Sequence, residues 1–237
     1  MLILFFIVAF MYSSVGHGGA SGYLAIMAIF SISPLFIKSS ALIMNLFVSS
    51  IAFYSYYKAG HFKWKIILPF LILSVPLSFI GAKIPIDPRL YKIILALCLL
   101  IAVFRLFLRS YDDHLRLKPI PLLPALIIGG IIGLLSGMIG IGGGIILSPL
   151  LLIARWATIK ETAAVAALFI LFNSFSGLLG LLGQGIQLAP HFYLWILVII
   201  IGGLIGSYAG ALKLSNPKLR YILATVLFFA IFKLFFY

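Results

Sequence analysis

Gly137-Met138-Ile139-Gly140-Ile141-Gly142-Gly143-Gly144 decides the fold of this chain. It separates two apolar runs, Pro121–Ser136 and Ile145–Ile153. Four of its last five residues are glycine, which a continuous helix tolerates poorly. Hydrocarbon is the least forgiving place for a broken helix, unless the break faces protein or lines a cavity. A weaker break, Val15-Gly16-His17-Gly18-Gly19-Ala20-Ser21-Gly22, lies near the start of the chain. A shift of 124 positions lays Gly16, Gly18 and Gly19 on Gly140, Gly142 and Gly143. Interrupted hydrophobic segments in matching positions of two halves point to a transporter's binding site.

The rest of the composition fits that environment. Of 237 residues, 64% are hydrophobic and 9% charged, against about 25% charged in soluble domains. The chain therefore reads as an all-α integral membrane protein. The net charge of +13 is spread over short connections between apolar runs. That is the pattern of topology-setting loops beside a lipid bilayer, and it argues against a nucleic-acid partner. The first charged residue is Lys38, so the basic n-region of a secretory signal is missing and the first segment is kept in the mature protein. The single cysteine, Cys98, excludes an internal disulfide.

Each half reads as four hydrophobic segments. They are Leu2–Phe30, Leu35–Tyr57, Ile66–Ala82 and Leu90–Leu108, then Pro121–Ile153, Thr162–Leu182, Phe192–Leu212 and Leu219–Phe236. This divides the chain into a first transmembrane repeat (1–108), a polar linker (109–120) and a second repeat (121–237). Ile37-Lys38-Ser39-Ser40-Ala41 answers Ile159-Lys160-Glu161-Thr162-Ala163, and Asp87-Pro88-Arg89-Leu90 answers Asn216-Pro217-Lys218-Leu219. Gene duplication is the simplest source of so many matches in one order.

The first segment of each half is either a re-entrant hairpin or a discontinuous span. Met1–Val15 as helix is about 22 Å long and Ala20–Phe30 about 17 Å, against a hydrocarbon core of about 30 Å. Loop charge separates the two topologies. Re-entry places 12 of the 17 Lys and Arg residues on one side, whereas eight full spans split them 9 to 8. The positive-inside rule favours re-entry and an inverted repeat.

Catalytic chemistry lacks material. The four acids, Asp87, Asp112, Asp113 and Glu161, all fall in or beside loops, and no Cys cluster or His-x-x-x-His occurs. No Gly-Lys-Ser/Thr follows the glycine run, so it is not a P-loop. The chain reads as no enzyme, with no cofactor and no metal site, and the sequence assigns no oligomeric state.

Anion binding is better supplied. A glycine loop opening a helix offers backbone N–H groups at the positive end of the helix dipole. The candidate site residues are Gly16, His17, Gly18, Gly19, Asn45, Ser49, Gly140, Gly142, Gly143, Gly144, Asn173 and Ser174. Hydroxyls and amides replace an anion's water shell without fixing a charge, although the same groups also join helices. His17 is the only ionisable residue in either break, and Ile141 answers it in the other. It gives a proton-coupled site or a cationic anchor, or else serves as a neutral hydrogen-bond donor. Gly129, Gly133 and Gly137, and Gly202, Gly206 and Gly210, carry the spacing that lets helix backbones approach closely in lipid.

The run Gly140-Ile-Gly-Gly-Gly-Ile-Ile-Leu-Ser-Pro149, its degenerate copy Gly16-His-Gly-Gly-Ala-Ser-Gly22 and the duplicated four-segment layout resemble the sulfite exporter TauE/SafE family, also called the 4-toluene sulfonate uptake permeases. The resemblance runs nearly end to end. It implies a plasma-membrane secondary transporter for small sulfur-containing anions such as sulfite, sulfonates or related organic acids. The first copy departs from the second at His17, Ala20 and Tyr23, so the two halves are not expected to contact substrate equally. Alternating access is expected to move one repeat against the other. A passive anion channel and a cation or metal permease are the competing functions.

Overall fold

The computed structural model describes residues 1–84, 117–189 and 191–236. The expected segment Leu90–Leu108 and most of the polar linker lie outside the described residues. No strand occurs among those described. The helices are α1 (Leu2–Ser14), α2 (Ala20–Ile29), α3 (Pro34–Lys58), α4 (Trp64–Lys83), α5 (Leu122–Ile139), α6 (Gly144–Ile153), α7 (Ile159–Leu181), α8 (Phe192–Tyr208) and α9 (Asn216–Phe236). A π-helical turn, Ala209–Lys213, continues α8. Five of the described helices are long and apolar enough to cross a bilayer, namely α3, α4, α5, α7 and α8 with its π turn.

Both glycine stretches break their helices as expected, and each break reverses the chain. Val15 to Gly19 separate α1 from α2. The two helices then run antiparallel: Tyr12 bonds Ser21 at 2.9 Å, Gly22 faces Val8, and the Phe5 and Tyr23 rings meet edge to face at 5.8 Å. In the second break Gly140, Gly142 and Gly143 all have positive φ, between 75° and 87°. Side chains with a Cβ rarely adopt that region, so glycine is what permits the reversal. The ends of the α5–α6 hairpin meet where the Lys118 N–H donates to the Arg155 carbonyl at 2.8 Å. The arms are unequal. At 1.5 Å per residue α1 and α2 reach only about 20 and 15 Å. With 18 residues, α5 reaches about 27 Å.

The glycine stripes seat each hairpin on a helix of the other half. Gly129, Gly133 and Gly137 of α5 lie against the backbones of Phe70, Ser74 and Ser78 of α4. Gly202, Gly206 and Gly210 lie against Phe6, Phe10 and Ser14 of α1. An added methyl group at any of these six positions would overlap main-chain atoms. The residue order is the same on both sides of each seam, so α5 runs parallel to α4, and α1 parallel to α8 and its π turn. Between the seams α3 packs on α7, the most buried of the candidate spans.

Pro69 and Pro76 lie inside α4. Proline is tolerated in membrane helices where neighbours satisfy the backbone. Beside them two serines tie α4 to α7: Ser176 Oγ donates to the Val75 carbonyl of α4 at 2.6 Å, and Ser78 Oγ to the Asn173 carbonyl of α7 at 2.8 Å.

Candidate functional site

His17 lies in the first break and reaches across to the second. Its Nε2 is 3.1 Å from the Gly144 carbonyl and 2.9 Å from Ser148 Oγ, both in α6. A carbonyl only accepts, so the hydrogen of the Gly144 contact belongs to Nε2. Nδ1 has no hydrogen-bond partner among the described residues, and the side chain is 1% exposed.

Asn45, from the middle of α3, ties the two breaks together. Its Oδ1 accepts from the Ala20 N–H at 2.9 Å, capping the start of α2, and its Nδ2 donates to Ser174 Oγ of α7 at 3.3 Å. Gly18 and Gly142, matched positions of the two breaks, both abut this amide. A Cβ on Gly142 would sit 2.9 Å from Asn45 Nδ2 and 3.0 Å from Ser174 Oγ. Asn45 therefore acts as a strut whose carbonyl and one N–H are already engaged.

Asn173 turns the other way. Its Nδ2 donates to Ser74 Oγ at 3.2 Å and to the Phe169 carbonyl at 2.8 Å, and its Oδ1 is buried without a partner among the described residues. It presents an acceptor. Ser49 bonds the Leu46 carbonyl of its own helix at 3.5 Å, and no bond joins it to either break among the described residues. Of the expected residues the structure thus gathers Gly16, His17, Gly18, Gly19, Asn45, Gly140, Gly142, Gly143, Gly144 and Ser174 around the two tips. Asn173 lies next to Ser174 on α7 but faces the α4 side.

Each tip rests on the second segment of the opposite half. Gly16 packs on the Ala163 backbone in α7, and Gly140 packs on Lys38 and Leu42 in α3. The start of α6 follows the usual helix geometry. The Ile146 and Leu147 N–H groups return to the Gly143 carbonyl, so the preceding amides are the helix's orphan donors. Ser13, Ser14, His17, Asn45, Ser49, Ser136, Ser148, Asn173 and Ser174 are all at most 1% exposed. The tips are enclosed.

Sequence reasoning missed three partners. On α4, Ser74 accepts from the Asn173 amide and Ser78 donates to the Asn173 carbonyl, and Tyr56 Oη donates to the Ser14 carbonyl at 2.5 Å, holding the end of α1. Serines four apart on an apolar helix were the available signal for the first two. Nothing in the sequence marks Tyr56.

The two recurrent lysines behave alike. Lys38 donates to the Ala82 carbonyl at the end of α4, at 3.2 Å, and Lys160 donates to the Ala211 carbonyl in the π turn that continues α8, at 3.3 Å. They close helix ends by satisfying last-turn carbonyls, the role a cation plays best there. Among the described residues no group of three or more His, Cys, Asp or Glu could hold a metal ion.

The model of the sulfite exporter TauE/SafE family matches residues 1–234. The chain belongs to that family. Similar proteins include "Probable membrane transporter protein y4hK" of Sinorhizobium fredii, 36% identical over 96% of this chain and 94% of that protein. "Probable membrane transporter protein YdhB" of Bacillus subtilis is 25% identical over the same shares, and "Probable membrane transporter protein MJ0441" of Methanocaldococcus jannaschii is 27% identical over 70% and 65%. No solved structure matches this chain. The chain is a multi-pass membrane transporter of the TauE/SafE family, not an enzyme.

Proposed function

We propose that the protein is a secondary transporter of small anions, sulfur-containing ones such as sulfite and sulfonates first among them, which bind where the two hairpin tips meet. The observation that carries this reading is the His17 contact with the first turns of α6. It brings both glycine breaks, and the starts of α2 and α6, into one buried polar cluster. Helix starts with glycine at the approach suit an oxyanion. The family's description as sulfite exporters supports the class of substrate. Enclosure of the tips favours a carrier over a passive channel, because a carrier must pass through an occluded form.

The packing also supports descent from two inverted, duplicated halves. Hairpin on third segment, second segment on second segment, and lysine on third-segment carbonyl each occur twice or link the matched pair. It changes the expected motion, however. Both glycine seams join one half to the other, so the halves are interlocked and do not separate as units. The moving bodies on this reading are α1–α2 with α8, and α5–α6 with α4, sliding on the central α3–α7 pair.

The test is uptake into proteoliposomes of labelled sulfite, sulfate and a small sulfonate, each with and without an imposed ion gradient. Gradient-driven accumulation of one anion is the expected result. Flux that never exceeds equilibrium would establish the channel, and flux of divalent metal alone would establish the cation permease.

A further inference from the structure

We infer that the anion enters this site together with one proton, which is carried on His17 Nδ1 and held there only while the anion is bound. The inference rests on the anion-site reading above and adds what is coupled and where.

Two observations lead to it. The first is the fixed polarity of the imidazole: Nε2 donates to the Gly144 carbonyl, so in the neutral ring Nδ1 is an acceptor. That acceptor is fully enclosed and has no donor among the described residues. An incoming anion brings only lone pairs, so a bare anion beside neutral His17 would set acceptor against acceptor. A proton on Nδ1 turns it into a donor and removes the conflict.

The second is the electrostatic setting. Tyr12 is the titratable neighbour from α1, its ring 6.3 Å from the imidazole, and Ser148 is the polar neighbour from α6. On the helices against which the tips rest, the charged side chains are engaged elsewhere. Lys38 of α3 is on the Ala82 carbonyl, Lys160 of α7 on the Ala211 carbonyl, and Glu161 of α7 on Lys63. None of these touches His17. A buried imidazolium here has no carboxylate among the described residues to balance it, and the start of α6 adds positive potential. The anion supplies the missing countercharge.

The balance is simple. One proton adds to Nδ1 as the anion binds, the Nδ1–H donates to an anion oxygen, and both leave on the other side. No bond within the anion breaks. Because each favours the other, proton and anion affinities rise together and reciprocally.

The experiment measures binding to the purified, detergent-solubilised transporter across about pH 6 to 9, the range around and above the ordinary histidine pKa. The probe is a labelled alkyl sulfonate, whose own charge is constant over that range, with sulfite in parallel. Wild-type affinity is expected to fall about tenfold per pH unit on the alkaline side, with one proton taken up per sulfonate bound. His17→Gln keeps an N–H for the Gly144 carbonyl but takes up no proton, and its residual binding is expected to be independent of pH. Wild-type sulfonate affinity that does not change with pH would overturn the inference and leave the anion site standing. A slope that persists in His17→Gln would overturn it also, by placing the proton elsewhere. If sulfite alone binds, a wild-type slope steeper than that of His17→Gln supports the inference, and equal slopes overturn it. If neither anion binds, the site reading falls and this inference falls with it.

Discussion

His17 Nε2 lies 2.9 Å from Ser148 Oγ, although 131 residues separate them in the chain. The same nitrogen reaches the Gly144 carbonyl, so one side chain holds the first break against the helix that follows the second. Removing the hydroxyl alone, Ser148→Ala, leaves the carbonyl contact in place. It should cost about 1 kcal/mol, the net worth of a buried neutral hydrogen bond. His17→Ala strands the carbonyl and opens a void, and should cost about 2–4 kcal/mol. Thermal unfolding of purified protein in detergent checks both, and equal losses would show that His17 does not bridge the tips.

Gly18→Ala and Gly142→Ala attack the strut. Each new methyl group would meet the Asn45 amide, which caps Ala20 on one side and bonds Ser174 on the other. Both variants should lose at least about tenfold in transport rate, the effect of roughly 1.4 kcal/mol at the site. Gly183→Ala is the control, since nothing lies within 4 Å of a Cβ there. Matched losses in all three would show that the variants report expression and not the tips.

Much of this is legible in the sequence, and the limit is physical. Hydropathy locates the segments, and the structural bounds differ by three residues or fewer at α3, α4 and α7. The glycine runs mark both breaks because no other common residue takes positive φ so cheaply. Direction of hydrogen bonding is not legible. Asn45 and Asn173 look alike in sequence, yet one is spent capping α2 while the other is left with a bare acceptor. Nor can the glycine stripes name their partners, since small-xxx-small spacing says that a helix is approached closely and not by which neighbour. Ser49 shows the same limit: its position in an apolar helix fits a ligand, whereas its hydroxyl is bonded within its own helix.

Glu161 offers a test of which local contacts matter. Thr158 and Glu161 form a capping box at the start of α7, with the Thr158 N–H donating to Glu161 Oε2 at 2.8 Å. Glu161 also pairs with Lys63, whose side chain is 58% exposed. Exposed ion pairs contribute about 0–1 kcal/mol, whereas loss of a cap costs about 0.5–2 kcal/mol. Thr158→Ala should therefore destabilise more than Lys63→Ala, and thermal unfolding in detergent at low and high salt checks the order. A larger, salt-sensitive loss in Lys63→Ala would reverse it.

Paired cysteines, in a background with Cys98 replaced by serine, test the moving bodies. Ser55 and Ser207 face each other with their oxygens 2.9 Å apart, joining central α3 to α8. Oxidation of Ser55→Cys/Ser207→Cys should arrest transport, and reductant should restore it. Leu73→Cys/Gly130→Cys links α4 to α5 within one body, at a place where a Cβ on Gly130 would meet only side-chain atoms and lie 3.4 Å from that of Leu73. Its oxidation should leave transport within about twofold of the reduced form, a change under roughly 0.5 kcal/mol. Arrest by the second pair and not the first would place the sliding surface between α4 and α5.

The seam between α1 and α8 also bears on how the protein is made. The α1–α2 hairpin is synthesised ahead of every other helix described, and neither of its arms is long enough to cross the bilayer. The surface that seats it, Gly202, Gly206 and Gly210, comes close to the end of the sequence. At ordinary rates of elongation, about 5–20 residues per second, the wait lasts on the order of ten seconds or more. During that interval Phe5 lacks Trp195 and Ala9 lacks Gly202. Among the described helices the α1–α2 hairpin is thus made first and is among the last to dock, which makes it dependent on help from the insertion machinery.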